Sequence, residues 1–563
     1  MYLLLPLALV ASHGGAGHRQ CGFRSRPPRE FKPLIQRFPE IRESILDFVI
    51  LIEESGNGTY SMDGREARIA ALRTGGLLVD SGHLSEVVDF VLTIAFRKGL
   101  LPKTITAENL TDYCRQLAEA IDAETSARGA TRASHGVRYE SWDALSERLL
   151  EDIHRKADPI LKSDPGRSGF ENPAYLELFQ RETQAPFEGN TNVRLLVDGP
   201  ASFQERERLI REAKNSILVL SWAFYDDVTG KRFAELLIQK KKDSIRSGNP
   251  LDIKVMVDGL TARTAPYKNK VDELEREGIE VIRWKSTDPL RRYDGQHRKA
   301  TIVDGETSIE GGMNFGDAYS HLGPPGSPRW RDTDVILSGA GPNESDKLFA
   351  SLWNEQLGHR SDLPANLTRA AVASGSNRAP SNTGRVSLIH HVPGRGETIL
   401  RANLLAIEAA KTSIDIENAY FILDPAIHEA LLHAKARGVR VRILTNSVES
   451  IDVPEMAYVI MRGVNQMIAE GFEVYLKKGT DTLHSKVMNV DQIYSWVGSY
   501  NFHPQSYRYE GEIIRTVLDA KFGAEVQAML QKDFDAAYRV TEPVPIPKST
   551  VSDLLHVWFY DQL

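Results

Sequence analysis

Two short stretches of the chain carry the same set of reactive side chains. "QHRKATIVDGETSIEGGMN" places His297, Lys299 and Asp304 in the order His-x-Lys-x-x-x-x-Asp, and "LHSKVMNVDQIYSWVGSYN" repeats that order with His484, Lys486 and Asp491. Successive side chains of a strand alternate faces, so each histidine shares a face with its lysine and the two can grip one anion. Each motif then runs through a Gly-containing strand to an asparagine, Asn314 after Gly311 and Gly312, and Asn501 after Gly498 and Ser499. One copy would be a weak signal. Two in register, each with its downstream asparagine, make coincidence improbable.

The text that must position these residues also repeats. From about residue 191, short apolar strands alternate with charged helical runs, the pattern of a mixed α/β sheet. "REAKNSILVLSWAF" returns as "EAAKTSIDIENAYF", "LDIKVMVDG" as "GVRVRILTN", and "GIEVIRWKS" as "GFEVYLKKG". The chain therefore reads as an internal duplication, with two similar α/β sandwich halves at 190–370 and 386–545. The Ser-, Asn-, Gly- and Pro-rich segment 371–385 joins them. Residues 29–185 have apolar spacing of helical period and read as a mostly helical accessory domain. Residues 1–28 form a leader and 546–563 a tail.

At 563 residues the chain is long enough for two or three domains, and 41% apolar with 26% charged residues is ordinary for a globular protein. The net charge of −7 offers no overall basic field for a nucleic-acid backbone. Cys21 and Cys114 can form at most one bridge and give no metal-ligand cluster. The apolar run in "MYLLLPLALVASHGGAGHRQC" is about ten residues, short of the roughly twenty that span a bilayer. It fits the apolar part of a secretory signal but lacks a preceding Lys or Arg. Localisation is left open between export and cytoplasm, with any lipid contact peripheral.

The paired motifs resemble those of the phospholipase D superfamily, whose members bring two such motifs into one active site between two similar α/β halves. The resemblance spans roughly residues 190–540. It is nearest to the cardiolipin synthase type, through "AYFILDPAIHEALLHAKARGVRVRIL", "WRDTDV" and "GSYNFHPQSYRYEGE". It implies an enzyme acting on a phospholipid by phosphatidyl transfer or hydrolysis, with no cofactor and no metal. Two departures concern the headgroup: where that type usually reads Arg-Ser and Asn-x-Glu, this chain has Gln505-Ser506 and Glu510-Gly-Glu512. Two N-terminal membrane spans of typical bacterial members are also not evident.

The chemistry can be argued from the residues as well. Cleaving a phosphodiester requires charge neutralisation, a nucleophile and a proton donor. Lys299 and Lys486 can clamp non-bridging oxygens, helped by the amides of Asn314 and Asn501. One histidine attacks phosphorus and the other protonates the departing oxygen, then activates the incoming hydroxyl. Family precedent makes His297 the nucleophile and His484 the acid/base. Each needs a carboxylate on its other ring nitrogen, and Asp332 and Glu512, downstream of the respective motifs, are the candidates. Asp304 and Asp491 fall at the turn after each motif and read as organisers of that turn.

Other features have plainer readings. His390 and His391 are neighbours on a strand, so they face opposite ways and make no metal pair. Lys240 to Lys242 read as a solvated helix end. Asp415 and Glu417 alternate with isoleucines as on a half-exposed strand, with a place for Glu417 near the cleft as the sharper alternative. Two rival functions remain in view: a nucleic-acid phosphodiesterase of the same superfamily, and a membrane-binding scaffold that has lost catalysis. The acidic balance and the fused halves speak against the first, and the presence of all four His and Lys residues against the second. Protein partners are not legible.

Overall fold

The computed structural model describes residues 142–263, 266–285, 295–357 and 384–546, with four short strand pieces ahead of them. The leader, the tail from 547 onward and most of the connection at 371–385 lie outside the described residues, as does nearly all of 29–141. The chain divides into two compact units, Met1–Arg132 with Ile546–Tyr560, and Ala133–Pro545 with Asp561–Leu563. In the first unit Thr59–Ser61 pairs antiparallel with Thr104–Thr106. All the chemistry described below belongs to the second.

That unit is built on one continuous mixed sheet. In its first half, Ser216–Ser221, Asp252–Asp258 and Glu280–Trp284 are parallel. The helices Val228–Arg246 and Lys268–Arg276 connect them. Parallel strands need such crossovers, and being covered by helices they read as unbroken apolar runs; "SILVLS" is buried at every position. The first helix starts at Asp227, whose carboxylate accepts the Gly230 amide at 2.9 Å. Ala300–Val303, Thr307–Gly311, Thr333–Gly339 and Glu188–Val197 then extend the sheet antiparallel.

The second half follows the same plan. Ser413–Asn418, Arg440–Thr445 and Glu473–Leu476 are parallel, joined by the helices Pro425–Ala436 and Pro454–Ala469. Lys486–Val490, Tyr494–Gly498, Glu510–Leu518 and Gly384–His391 follow antiparallel. Strand for strand, the order across the sheet is the same in both halves, with Tyr538–Val540 added at the far edge of the second. The halves meet where Gly384–His391 pairs antiparallel with Glu188–Val197. The strand begins at Gly384, so the connection is shorter at this end than the composition of 371–385 suggested.

Buried charge reinforces the seam. Arg515 of the second half inserts between Glu310 at 2.9 Å and Glu344 at 2.6 Å of the first, and also donates to Ser345 Oγ at 2.7 Å. Breaking one partner of such a buried set costs about 3–5 kcal/mol. Helices Trp142–Ser163 and Pro173–Thr183, at the end of the segment read as an accessory domain, pack on the second half within the same compact unit. Phe170 stacks on Tyr494 at 4.1 Å and Tyr175 Oη donates to the Leu405 carbonyl at 2.7 Å. Burying an aromatic ring of this kind contributes about 1.5–3 kcal/mol. Among the described residues no helix is long and apolar enough to cross a membrane.

Candidate active site

The two His-x-Lys motifs arrive at one place because each enters its strand by pairing with the opposite half. Gly295–Gln296 runs parallel to Glu510–Gly511, and the His297 amide donates to the Gly511 carbonyl at 3.0 Å. On the other side the Arg331 amide donates to the Thr482 carbonyl at 2.9 Å, and the His484 amide donates to the Arg331 carbonyl at 2.7 Å. These backbone bonds bring each histidine beside the acidic residue of the other half. His297 Nδ1 lies 2.9 Å from Glu512 Oε1, and His484 Nδ1 lies 2.8 Å from Asp332 Oδ2. The two carboxylates picked out in the sequence are therefore both present, but each serves the histidine that is not its sequence neighbour.

A carboxylate on Nδ1 fixes ring orientation and points Nε2 the other way. The supports of the two carboxylates differ. Asp332 accepts its own neighbour's amide, Thr333 N, at 2.7 Å, and a Cβ at Gly312 would sit 2.2 Å from its Oδ1. Gly312 is what gives that carboxylate room. The equivalent position in the second half is Ser499, whose hydroxyl donates to Glu512; Ser506 Oγ donates to the same group at 2.6 Å.

Both lysines are wholly buried beside their histidines. Lys299 Nζ donates to the His297 carbonyl at 2.6 Å, and Lys486 Nζ to the His484 carbonyl, with His484 Nδ1 at 3.0 Å. Burial pushes Lys299 down to about 7 and Lys486 to about 8. Burial also holds His297 down to about 3, with Lys299 adding to the effect, and His484 well below the usual imidazole range, with Lys486 adding to it. Asp332 is raised to about 6 and Glu512 to about 7, again by burial first. Each histidine also feels the lysine of the other half. The result is one low-dielectric cluster of two imidazoles, two ammonium groups and two carboxylates.

The asparagines divide. Asn314 Oδ1 accepts the Trp222 amide at 3.1 Å and its Nδ2 donates to Tyr319 Oη at 3.1 Å, so both ends of its side chain serve the scaffold. Asn501 Oδ1 is buried without a hydrogen-bond partner. Asp304 and Asp491 stand at the far ends of the motif strands, and both have positive φ (56° and 53°). Asp304 accepts the Asn215 and Ser216 amides at 2.6 and 2.8 Å; Asp491 accepts those of Thr412 and Ser413 at 2.7 and 2.9 Å. Neither joins the cluster.

Several neighbours carried no pattern in the sequence. Trp222 packs edge-on to His297 at 6.3 Å and Trp330 stacks on His484 at 5.4 Å; both are half-buried and flank the site. Tyr319 meets His484 edge-on at 5.1 Å. Glu510 Oε2 lies 3.8 Å from His297 Nδ1, and Gln505 Nε2 donates to Glu510 Oε1 at 2.9 Å. The two unusual residues of the second half are thus bonded to each other. Glu417 is fully buried rather than half-exposed, 3.6 Å from Arg331, and burial raises it to about 8. Asp415 is also buried, and forms an ion pair with Arg442 at 2.7 Å. His390 is exposed and His391 buried, with His391 Nε2 2.6 Å from the Tyr507 carbonyl. Lys241 and Lys242 bind the Leu251 carbonyl at 2.8 Å and Glu277 at 2.6 Å.

Comparisons with known proteins bear on this geometry. Residues 404–536 match the family model described as cardiolipin synthase, PLD-like domain. The chain is 29% identical to cardiolipin synthase A of Pseudomonas aeruginosa over 376 residues, 65% of this chain and 71% of the relative. It is 30% identical to cardiolipin synthase A of Pseudomonas syringae over 361 residues, 63% and 71% of the two chains. Among solved structures, phosphatidylserine synthase of Haemophilus influenzae superposes with a TM-score of 0.55 at 15% identity, covering 68% of this chain and 96% of that one. That likeness is one of fold.

Proposed function

Because the chain belongs to the phospholipase D superfamily, as a phosphatidyltransferase of the cardiolipin synthase type, we propose that it transfers a phosphatidyl group to an alcohol through a covalent phosphohistidine. The observation that carries this reading is the crossed pairing, in which each half orients the other's imidazole. We read the halves as copies of one ancestral unit, because strand order and motif position coincide.

In this mechanism Lys299 and Lys486 neutralise the non-bridging oxygens in a site where burial strengthens their field. His297 Nε2 attacks phosphorus while His484 protonates the leaving alkoxide. The ring of His297 becomes cationic as the P–N bond forms, and Glu512 with Glu510 close by stabilises that charge. His484, having lost its proton to the leaving group, then takes one from the incoming hydroxyl, whose oxygen displaces His297 from phosphorus. Water in place of the alcohol would give phosphatidic acid. Asn501 is the better placed of the two asparagines to face the phosphate. Contact with the bilayer is peripheral, with the half-buried Trp222 and Trp330 flanking the two histidines.

The experiment is to incubate purified protein and its His297→Ala variant with vesicles of phosphatidylglycerol, phosphatidylethanolamine and phosphatidylcholine without added metal, and to follow products by mass spectrometry. Histidine-dependent cardiolipin is expected. Phosphatidic acid alone would mean hydrolysis, and no histidine-dependent product from any lipid would overturn the lipid reading.

A further inference from the structure

We propose that His154, Glu408 and His433, none of which belongs to the site described above, form a binding site for a divalent transition metal of the zinc class. His154 comes from helix Trp142–Ser163, Glu408 from helix Thr398–Ala409 and His433 from the last turn of helix Pro425–Ala436. Glu408 Oε1 is the common point, 3.1 Å from His154 Nε2 and 3.8 Å from His433 Nδ1. Each residue offers one ligand atom, and all three lie within 4.8 Å of one another. Zinc bonds to imidazole nitrogen and carboxylate oxygen are about 2.0–2.2 Å, so neighbouring ligands of a tetrahedral ion sit about 3.3–3.6 Å apart. The cluster needs only small side-chain adjustments to close on an ion.

Further observations fit a cation. His433 turns its second nitrogen, Nε2, toward Glu429 Oε1 at 3.5 Å. A carboxylate on the distal nitrogen is the outer support that metal-bound imidazoles use. Glu408 Oε2 is held by Arg437 Nη1 at 2.6 Å, which fixes the carboxylate and leaves Oε1 facing the histidines. Glu147, Glu151 and Glu429 line a cavity with His154 and His433, placing further negative charge beside the two imidazoles. Glu408 and His433 also both stand in the last turns of their helices, where the helix dipole favours positive charge. The side chains of His154 and His433 are 30% and 40% exposed, so an ion has a path in and a fourth position for water. Bound there, the metal would bolt the helix that precedes the two halves onto two helices of the second.

The test uses the full chain, stripped with chelator and titrated with zinc chloride by calorimetry, with metal content checked by mass spectrometry. His297→Ala serves as a control for the His297–Glu510–Glu512 group, which also has ligand chemistry. The expected result is a tight equivalent of zinc that His297→Ala retains and His154→Ala with His433→Ala loses, affinity falling about 100-fold or more. Zinc should raise Tm in the parent and not in the double variant, whose lipid turnover stays unchanged. Cobalt substitution gives a second reading, with intense visible bands for a tetrahedral site of nitrogen and oxygen ligands. No tight equivalent, or one that the double variant keeps, would overturn the site.

Discussion

The two half-sites share strand order and motif spacing but surround their histidines differently. His297 faces two carboxylates from the second half, Glu512 at 2.9 Å and Glu510 at 3.8 Å, and Glu512 is held by hydroxyls of Ser499 and Ser506. His484 faces one, Asp332 at 2.8 Å, with Lys486 Nζ at 3.0 Å, and the rings of Trp330, Tyr319 and Tyr420 pack around it. One imidazole stands in an electronegative pocket and the other in an aromatic one. A ring that must carry positive charge as a covalent intermediate gains more from the first, and one that passes a proton and stays neutral between steps fits the second. Under the proposed mechanism, the asymmetry fits different work for two nearly identical motifs.

The strongest way to break this comparison is to remove each imidazole. His297→Ala and His484→Ala should each reduce turnover about 10⁴-fold or more with an unchanged circular dichroism spectrum. Labelling under an alkaline quench, which preserves a P–N bond that acid would cleave, should separate them: turnover stopped with a phosphorus-radiolabelled lipid should leave label on the peptide containing His297, and label on the His484 peptide would reverse the roles. Next in size, Asp332→Asn should cost about 10³-fold in kcat, whereas Glu512→Gln should cost about 10²-fold because Glu510 stands behind it. Adding Glu510→Gln to Glu512→Gln should bring the two half-sites level. Equal losses from the two single variants would mean that Glu510 supplies no support.

A smaller effect comes from pH. Asp332 and Glu512, raised to about 6 and 7, are neutral below those values and no longer hold an imidazolium. Lys299 and Lys486, lowered to about 7 and 8, lose their charge above them. Both limbs fall in kcat/KM, which should peak near pH 7, and Lys299→Arg should move the alkaline limb upward toward the Lys486 value because a guanidinium stays protonated. A profile flat from about pH 5.5 to 9 would contradict these assignments. Least of all in catalysis, Asp491→Ala should leave kcat within a few-fold yet lower stability by about 2 kcal/mol in denaturant titration, because three amides at a strand entrance lose their acceptor.

Much of the site was legible because its chemistry is repeated in the sequence. His297, Lys299, His484 and Lys486 could be found by type and spacing, and Asp332 and Glu512 by their place downstream. The crossing of the carboxylates could not be read, since it follows from backbone pairing at Gly511 and Arg331 between segments far apart in the chain. Asn314 looked like a phosphate ligand because its spacing matched Asn501; only its bonds to Trp222 and Tyr319 show it serving the scaffold. The α/β alternation showed the strands but not their order in the sheet, while the packing of Trp142–Ser163 on the second half depends on contacts such as Arg401 with Asp152, which leave no periodic trace. The His154–Glu408–His433 group is hidden for the same reason, its first two members being 254 residues apart.

The crossed carboxylates have a consequence for how such a chain can change over generations. If the halves are copies of one unit, as proposed, a substitution at Asp332 falls in the first half but removes the partner of the second half's imidazole, and one at Glu512 does the reverse. On that reading neither half could drift toward redundancy under cover of the other. Reciprocal dependence would turn two similar units into one indivisible object of selection, free to diverge in the walls around each histidine but not in what each half supplies to the other.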